Sequence, residues 1–168
     1  KHCVHEAGSA TPRIAPWPTG ISTRGERRQQ PGHLIDIMST CVDVTGANYP
    51  QEATPLEGRS LVPAFRNQPI ERDAIYWEHE GNRALRKDNW KLVAKGPAGE
   101  WELYDIDRDR AELHNLATAQ PDRTKQMVTQ WEAWANRANV LPWIWEPAYG
   151  EKATTAPKAK KGKAGKNN

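Results

Sequence analysis

A chain of 168 residues is long enough for one ordinary domain, but low mean hydropathy, 13 prolines and 12 glycines exclude a core running through its whole length. The formal charge of +3 does not make the body basic. Residues 151–168 hold six lysines (152, 158, 160, 161, 163 and 166) against one glutamate, and the rest has 18 basic and 20 acidic residues. Nucleic-acid or membrane-surface contact is therefore confined to that tail, whose composition reads as a solvated, disordered end. Cys3 and Cys41 are too far apart for a CxxC site and no zinc-type spacing exists; no apolar run approaches the roughly 18 residues of a membrane span.

In chain order, residues 1–23 read as a glycine-containing loop, a short extended run around Arg13 to Trp17, and a Pro/Gly turn, since Pro12, Pro16 and Pro18 forbid helix. Arg24 to Gly32 is a charged surface connection. From His33 to Thr45 the positions Leu34, Ile37, Met38, Cys41, Val42 and Thr45 repeat at the spacing of one helical face, with Gly46 as the stop. Cys41 is then expected as a small buried residue, and His33 as a surface or capping group. Residues 47–73, divided by prolines 50, 55, 63 and 69, read as a wrapping segment.

Four strand-like runs follow: Ala74 to His79, Asn82 to Lys87, Trp90 to Lys95 and Glu100 to Tyr104. Asp88-Asn89 serves as a two-residue hairpin turn and residues 96–99 as a longer one. Trp90, Leu92 and Ala94 share a face, as do Trp101 and Leu103, so one side of the sheet needs a cover. The stripe Met127, Val128, Trp131, Trp134, Ala135 and Ala138, following Pro121 in the first helical turn, provides it. Beyond Val140, the two tryptophans of LPWIWEPAYG suggest a segment pinned back on the body, ahead of the lysine tail.

Few positions suggest chemistry. Asp105, Asp107 and Asp109 imitate a calcium loop, but Arg110 and Leu116 stand where Gly and Glu would be required. They read as an acidic turn whose carboxylates accept backbone amides, and no metal ligands are assigned. His79, Glu80 and Asn82 sit where the first strand turns over; a His-Glu pair can do general acid-base work, and a polar turn looks the same. Lys1, His2, His5 and Glu6 crowd one loop, where cations suit an anionic ligand.

The order of motifs is more specific than any one of them. KHCVHEAGSATPRIAPWP resembles the sulfatase segment K-x4-E-G-G-x-x-x-P-x-x-x-x-W-P, and HLIDIMSTCVDVTGANYP resembles the H-x-x-D-I-x-P-T-x-x-D-x-x-G helix that follows it. PLEGRSLVPAF looks like the G-x-S-L-x-P stretch. WEHEGNRALRKDNWKLV and WELYDIDRDRAELHNLA look like the paired strands ending in L-Y-D-x-x-x-D-x-x-E-x-x-N-L-A. Five blocks in the family's order, over roughly residues 1–138, make the chain similar to the C-terminal portion of an arylsulfatase-like protein.

The resemblance implies an alkaline-phosphatase-like α/β fold, of which this chain holds the C-terminal fragment: a small four-stranded antiparallel sheet packed by a C-terminal helix, with irregular segments and a disordered tail. Residues 1–46 are then the final loop, strand and helix of the large α/β domain, 47–73 a connection, 74–145 the sheet-plus-helix subdomain and 146–168 the lysine-rich tail. It implies a sulfuric ester hydrolase acting on aryl or carbohydrate sulfates, with formylglycine as nucleophile and calcium holding the sulfate, both on residues outside this chain. Lys1, five residues before Glu6, inherits the sulfate contact, and His79, Glu80 and Asn82 are candidates for lining the substrate pocket. Glu6-Ala7-Gly8 replaces Glu-Gly-Gly, and neither Cys3-Val4-His5 nor Cys41-Val42-Asp43 matches the nucleophile motif C/S-x-P-S/A-R. The chain thus reads as a fragment or cleaved product missing its N-terminal sulfatase domain and inactive alone. No segment reads as a signal peptide; the resemblance implies a periplasmic or secreted location. The alternatives are a truncated, non-catalytic interaction or binding module, and nucleic-acid binding by the tail, with no sequence-specific nucleic-acid partner expected.

Overall fold

The computed structural model describes residues 3–23 and 25–143. Four helices and four strands follow in the order α1 (Glu6–Ser9), α2 (Asp36–Thr45), α3 (Val62–Phe65), β1 (Ile75–His79), β2 (Asn82–Lys87), β3 (Trp90–Ala94), β4 (Trp101–Asp105) and α4 (Pro121–Arg137). The strands form one antiparallel meander in the order β1-β2-β3-β4. Its register places Leu85 opposite Leu92 and Leu92 opposite Leu103, so a row of leucines runs across one face.

Two tight turns set that register. At β1–β2, Glu80 and Gly81 both have positive φ, +51° and +81°, as the favoured two-residue hairpin turn requires. A side chain at Gly81 would also lie 2.6 Å from the Pro97 ring, so this glycine is needed for space as well. At β2–β3 the expected Asp88-Asn89 turn forms, with Asp88 at φ +54°.

The leucine face is covered by α4. Pro121 opens this helix, where its missing N–H is no loss, and Met127, Trp131 and Ala135, spaced by one helical turn each, are its buried residues. They pack on Leu85, Leu92 and Leu103, and Trp90, Trp101, Trp134, Leu141 and Trp143 close the margins. Trp131 also donates its indole N–H to the Trp77 carbonyl at 3.2 Å. The pinning expected beyond Val140 is thus seen for Leu141 and Trp143; Ile144 onward, the lysine tail included, lies outside the described residues.

The opposite face is not left to solvent. Val4 packs there with Ala84, Val93, Tyr104 and Ile106, and Trp77 lies alongside. β3 is consequently buried on both sides from Lys91 to Ala94, and the N-terminal segment, rather than water, forms the second layer.

Three local expectations are corrected. The run from Arg13 to Trp17 pairs with no strand, because its prolines remove ladder donors. The glycine-containing loop holds a single helical turn, α1, stabilised by Ser9 Oγ donating to the His5 carbonyl at 3.0 Å. The helix after His33 begins only at Asp36, and its orientation is inverted relative to the expected one. Leu34, Ile37, Met38 and Cys41 are exposed, so Cys41 belongs to no core that the described residues form. The reason is what α2 meets: residues 58–61 present backbone N–H groups rather than apolar surface. Asp36, fully buried, accepts from the Arg59 N–H at 2.9 Å, and Thr40 Oγ1 accepts from the Leu61 N–H at 2.9 Å. Arg72 completes the site with an ion pair to Asp36 at 2.7 Å. Burying a carboxylate demands such partners, and they lie on the polar side of the helix.

Candidate functional site

The densest polar chemistry lies on the sheet face opposite α4. Lys91, in the middle of β3, is fully buried. Its ammonium contacts Glu6 Oε1 at 2.9 Å, Glu112 Oε1 at 3.1 Å and Ser9 Oγ at 3.1 Å. Glu6 Oε1 and Ser9 Oγ accept hydrogen bonds from the ammonium, while Glu112 Oε1 meets it as an ion pair without a hydrogen bond. Glu112 Oε2 in turn accepts the backbone N–H of Glu6 at 2.6 Å, at the start of α1. Glu112 reaches this position from a left-handed backbone conformation, φ +56°. The cluster fastens the segment that follows Lys1 to the sheet.

Beside it runs a second chain of contacts. Cys3 Sγ lies 2.9 Å from His5 Nδ1, and His5 Nε2 lies 3.0 Å from Glu102 Oε2. The Tyr104 hydroxyl donates to the same carboxylate oxygen at 2.9 Å. Burial, with Glu102 next to it, pushes the Tyr104 phenol above its ordinary value of 10.0. An open cleft of about 490 Å³ borders both groups, lined by His5, Glu6, Ala7, Ala10, Arg110, Ala111 and Glu112.

The site residues expected from sequence are placed as follows. Lys1 and His2 lie outside the described residues. His79 and Asn82 face each other across the end of the β1–β2 hairpin, with Glu80 in the turn between them. His79 is exposed, whereas Glu80 and Asn82 are half-buried. Asn82 also supports the backbone: its amide donates to the His79 carbonyl at 3.0 Å and accepts from the Gly96 N–H at 3.0 Å, joining the two turns at this end of the sheet.

The acidic turn bonds its own backbone. Asp105 Oδ1 accepts from the Asp107 N–H, and Asp109 Oδ2 accepts from the Leu113 and His114 N–H groups. Asn115 Oδ1 accepts from Leu103 and Ala117. Every polar position of the D-x-x-x-D-x-x-E-x-x-N block therefore has a structural partner, with Glu112 serving Lys91 and Glu6. Sequence reasoning passed over Lys91, Glu102 and Glu112. One signal could have found the first: in WKLVA, Leu92 and Val93 point to opposite faces and both are apolar, which marks a strand buried on both sides and leaves Lys91 needing acidic partners.

His33 joins this layer from α2's side. Its ring meets Trp77 edge-on, centroids 5.4 Å apart, and its Nδ1 accepts the Ile35 N–H in the turn that leads into α2, so it bonds the approach to the helix without capping it. Burial is the main cause lowering its pKa below 6.5; Arg72 and Arg13 add to it and Asp36 opposes. The unfolded chain therefore takes up this proton first as pH falls, and stability is full above pH 6.5 and declines below it. Thermal midpoints measured from pH 7.5 to 5 are expected to fall less for His33→Gln than for the parent chain; parallel curves would contradict this.

A four-stranded antiparallel sheet with one face under a long C-terminal helix is the C-terminal part of an alkaline-phosphatase-like fold. The crystal structure of Ps i-CgsB in complex with k-i-k-neocarrahexaose superposes with a TM-score of 0.61 at 26% identity, covering 82% of this chain and 30% of that one. The chain belongs to the family described as N-sulphoglucosamine sulphohydrolase, C-terminal, whose model matches residues 1–136. An uncharacterized sulfatase of Schizosaccharomyces pombe is 30% identical over 122 residues, 64% of this chain and 22% of the relative. The N-acetylgalactosamine-6-O-sulfatase of Bacteroides thetaiotaomicron is 24% identical over 142 residues, 76% of this chain and 27% of the relative. The chain thus spans about a quarter of the length of these curated relatives.

Proposed function

We propose that this chain is the C-terminal part of an enzyme that hydrolyses sulfate esters of carbohydrates. The observation that carries the reading is the family match across residues 1–136; sulfatases named for amino-sugar sulfates among its relatives supply the substrate class. Residues 1–46 belong to the large catalytic domain, 47–73 connect, 74–145 form the supporting subdomain and 146–168 are a lysine-rich tail. Lys1 contacts the sulfate, and its segment is held by the Lys91 cluster, which suits a cation that must be aimed at an anion. The turn with His79, Glu80 and Asn82 edges the pocket.

The two groups that sulfatase chemistry requires do not fit the residues present. Among the described residues no group of three or more His, Cys, Asp or Glu side chains could hold calcium, and both cysteines lack the formylglycine context. In this proposal calcium and formylglycine are held by residues outside the chain, and the 168-residue chain alone does not turn over.

The test is to read and express the coding sequence upstream of Lys1. The expected outcome is a frame carrying C/S-x-P-S/A-R whose product hydrolyses a sulfated amino sugar with calcium, and in which Lys1→Ala lowers kcat/KM about 100-fold. A stop codon in its place, or multiple turnover of an aryl sulfate by the present chain, would overturn the reading. One observation favours a second possibility, a non-catalytic interaction module: Leu34, just before α2, and Ile37 and Met38 on it are open to solvent. That reading predicts specific association of this chain with a partner and no sulfatase activity in the longer product.

A further inference from the structure

We infer that Cys3, His5 and Glu102 form a thiol modification site, in which Cys3 is the nucleophile toward peroxides. The three side chains supply the parts such chemistry needs in the required order: nucleophile, base and a group that orients the base. A carboxylate at Glu102 only accepts, so the His5 tautomer that fits both contacts has its proton on Nε2. Nδ1 is then left with its lone pair toward Cys3 Sγ, 2.9 Å away. In the 168-residue chain Cys3 is exposed, so a small reagent can reach its sulfur there.

The site rests on the packed sheet. Glu102 lies in β4, paired with Val93 in β3, and His5 directly precedes α1, which Lys91 and Glu112 clamp to the sheet. The Cys3 carbonyl lies against Gly8, where a side chain would come within 1.9 Å of its oxygen. The arrangement does not depend on sulfatase activity and uses no residue assigned to sulfate binding.

With hydrogen peroxide, the Cys3 sulfur attacks one peroxide oxygen, an S–O bond forms and the O–O bond breaks. The thiol proton passes by way of His5 Nδ1 to the departing hydroxide, which leaves as water, and the product is cysteine sulfenic acid. Sulfur is oxidised and peroxide is reduced. Glu102 acts as a positioning residue through His5.

Cys41 is an internal reference: it is also exposed and free, and among the described residues no histidine bonds its sulfur. The 168-residue chain is treated with hydrogen peroxide at pH 7, sulfenic acid is trapped with dimedone, and labelling of each cysteine is followed by peptide mass spectrometry. Cys3 is expected to label at least about tenfold faster than Cys41. His5→Asn should bring the Cys3 rate down to that of Cys41, and Glu102→Gln should lower it several-fold. An unchanged thermal midpoint in each variant shows that the fold is intact; if His5→Asn lowers it, Glu102→Gln carries the comparison. Equal labelling of the two cysteines in the parent chain, or a Cys3 to Cys41 ratio that survives the intact variant, overturns the assignment.

Discussion

Lys91→Met is expected to lower the unfolding free energy by about 3–5 kcal/mol, the usual loss when one partner of a buried ion pair is removed. The methionine fits the space of the lysine stem, so little of the loss is packing. What remains is two carboxylates, Glu6 and Glu112, facing each other in a site from which Lys91 excluded water. The triple variant Lys91→Met, Glu6→Gln, Glu112→Gln should recover more than half of the loss, because neutral amides can bond one another where carboxylates cannot. Urea denaturation of the three proteins measures both effects. A loss below about 1 kcal/mol for the single variant would mean that the cluster is as well solvated as a surface pair. Amide hydrogen exchange across residues 4–10 should also quicken in Lys91→Met, since α1 is held to the sheet by this contact.

Trp131→Ala is expected to cost a comparable amount, about 3–5 kcal/mol, for an apolar reason. The indole is 1% exposed and fills the space between α4 and the leucine row. Trp101 and Trp134 meet it edge-on at 5.5 and 6.0 Å, and its N–H satisfies the Trp77 carbonyl. Alanine would leave a cavity bordered by three leucines and strand that carbonyl. Trp131→Phe keeps most of the volume and loses the hydrogen bond, so it should cost only about 1–2 kcal/mol. Thermal or urea melts decide the order; an alanine variant as stable as the phenylalanine one would show that the helix can settle into the gap.

These two sites differ in how far they could be read beforehand. Trp131 was legible: its spacing from Met127 and Ala135 defines a helical stripe, and the alternation of Trp90, Leu92 and Ala94 defines the face that it covers. Both are local periodicities, set by 3.6 residues per turn and by the two-residue pleat. Lys91 was not legible as a site, because its partners stand 85 and 21 positions away, on a helical turn and a loop. No local pattern announces a contact across such separations.

The same distinction explains α2. Periodicity located the helix and its stop at Gly46, but not which side would face inward. That was decided by Asp36, whose buried carboxylate requires Arg72 and the Arg59 N–H. An ionised group without partners is penalised far more heavily than exposed leucine or methionine, so the polar side turned in. Likewise, the D-x-x-x-D-x-x-E-x-x-N spacing was legible as a family mark, while the work of each residue in it depended on which amide or ammonium lay opposite.

By itself, then, the sequence determined the four strands and their turns, the covering helix and the family, since each rests on local spacing or on the order of local blocks. Only the tertiary structure decided that the sheet is covered on both faces, that Lys91 binds the N-terminal turn through Glu6 and Glu112, and that Cys3, His5 and Glu102 meet. The physical reason is that hydrogen bonds and ion pairs act over about 3 Å in space, whereas Glu6 and Lys91 stand 85 residues apart and His5 and Glu102 97, and they meet only when the sheet and its second layer have packed.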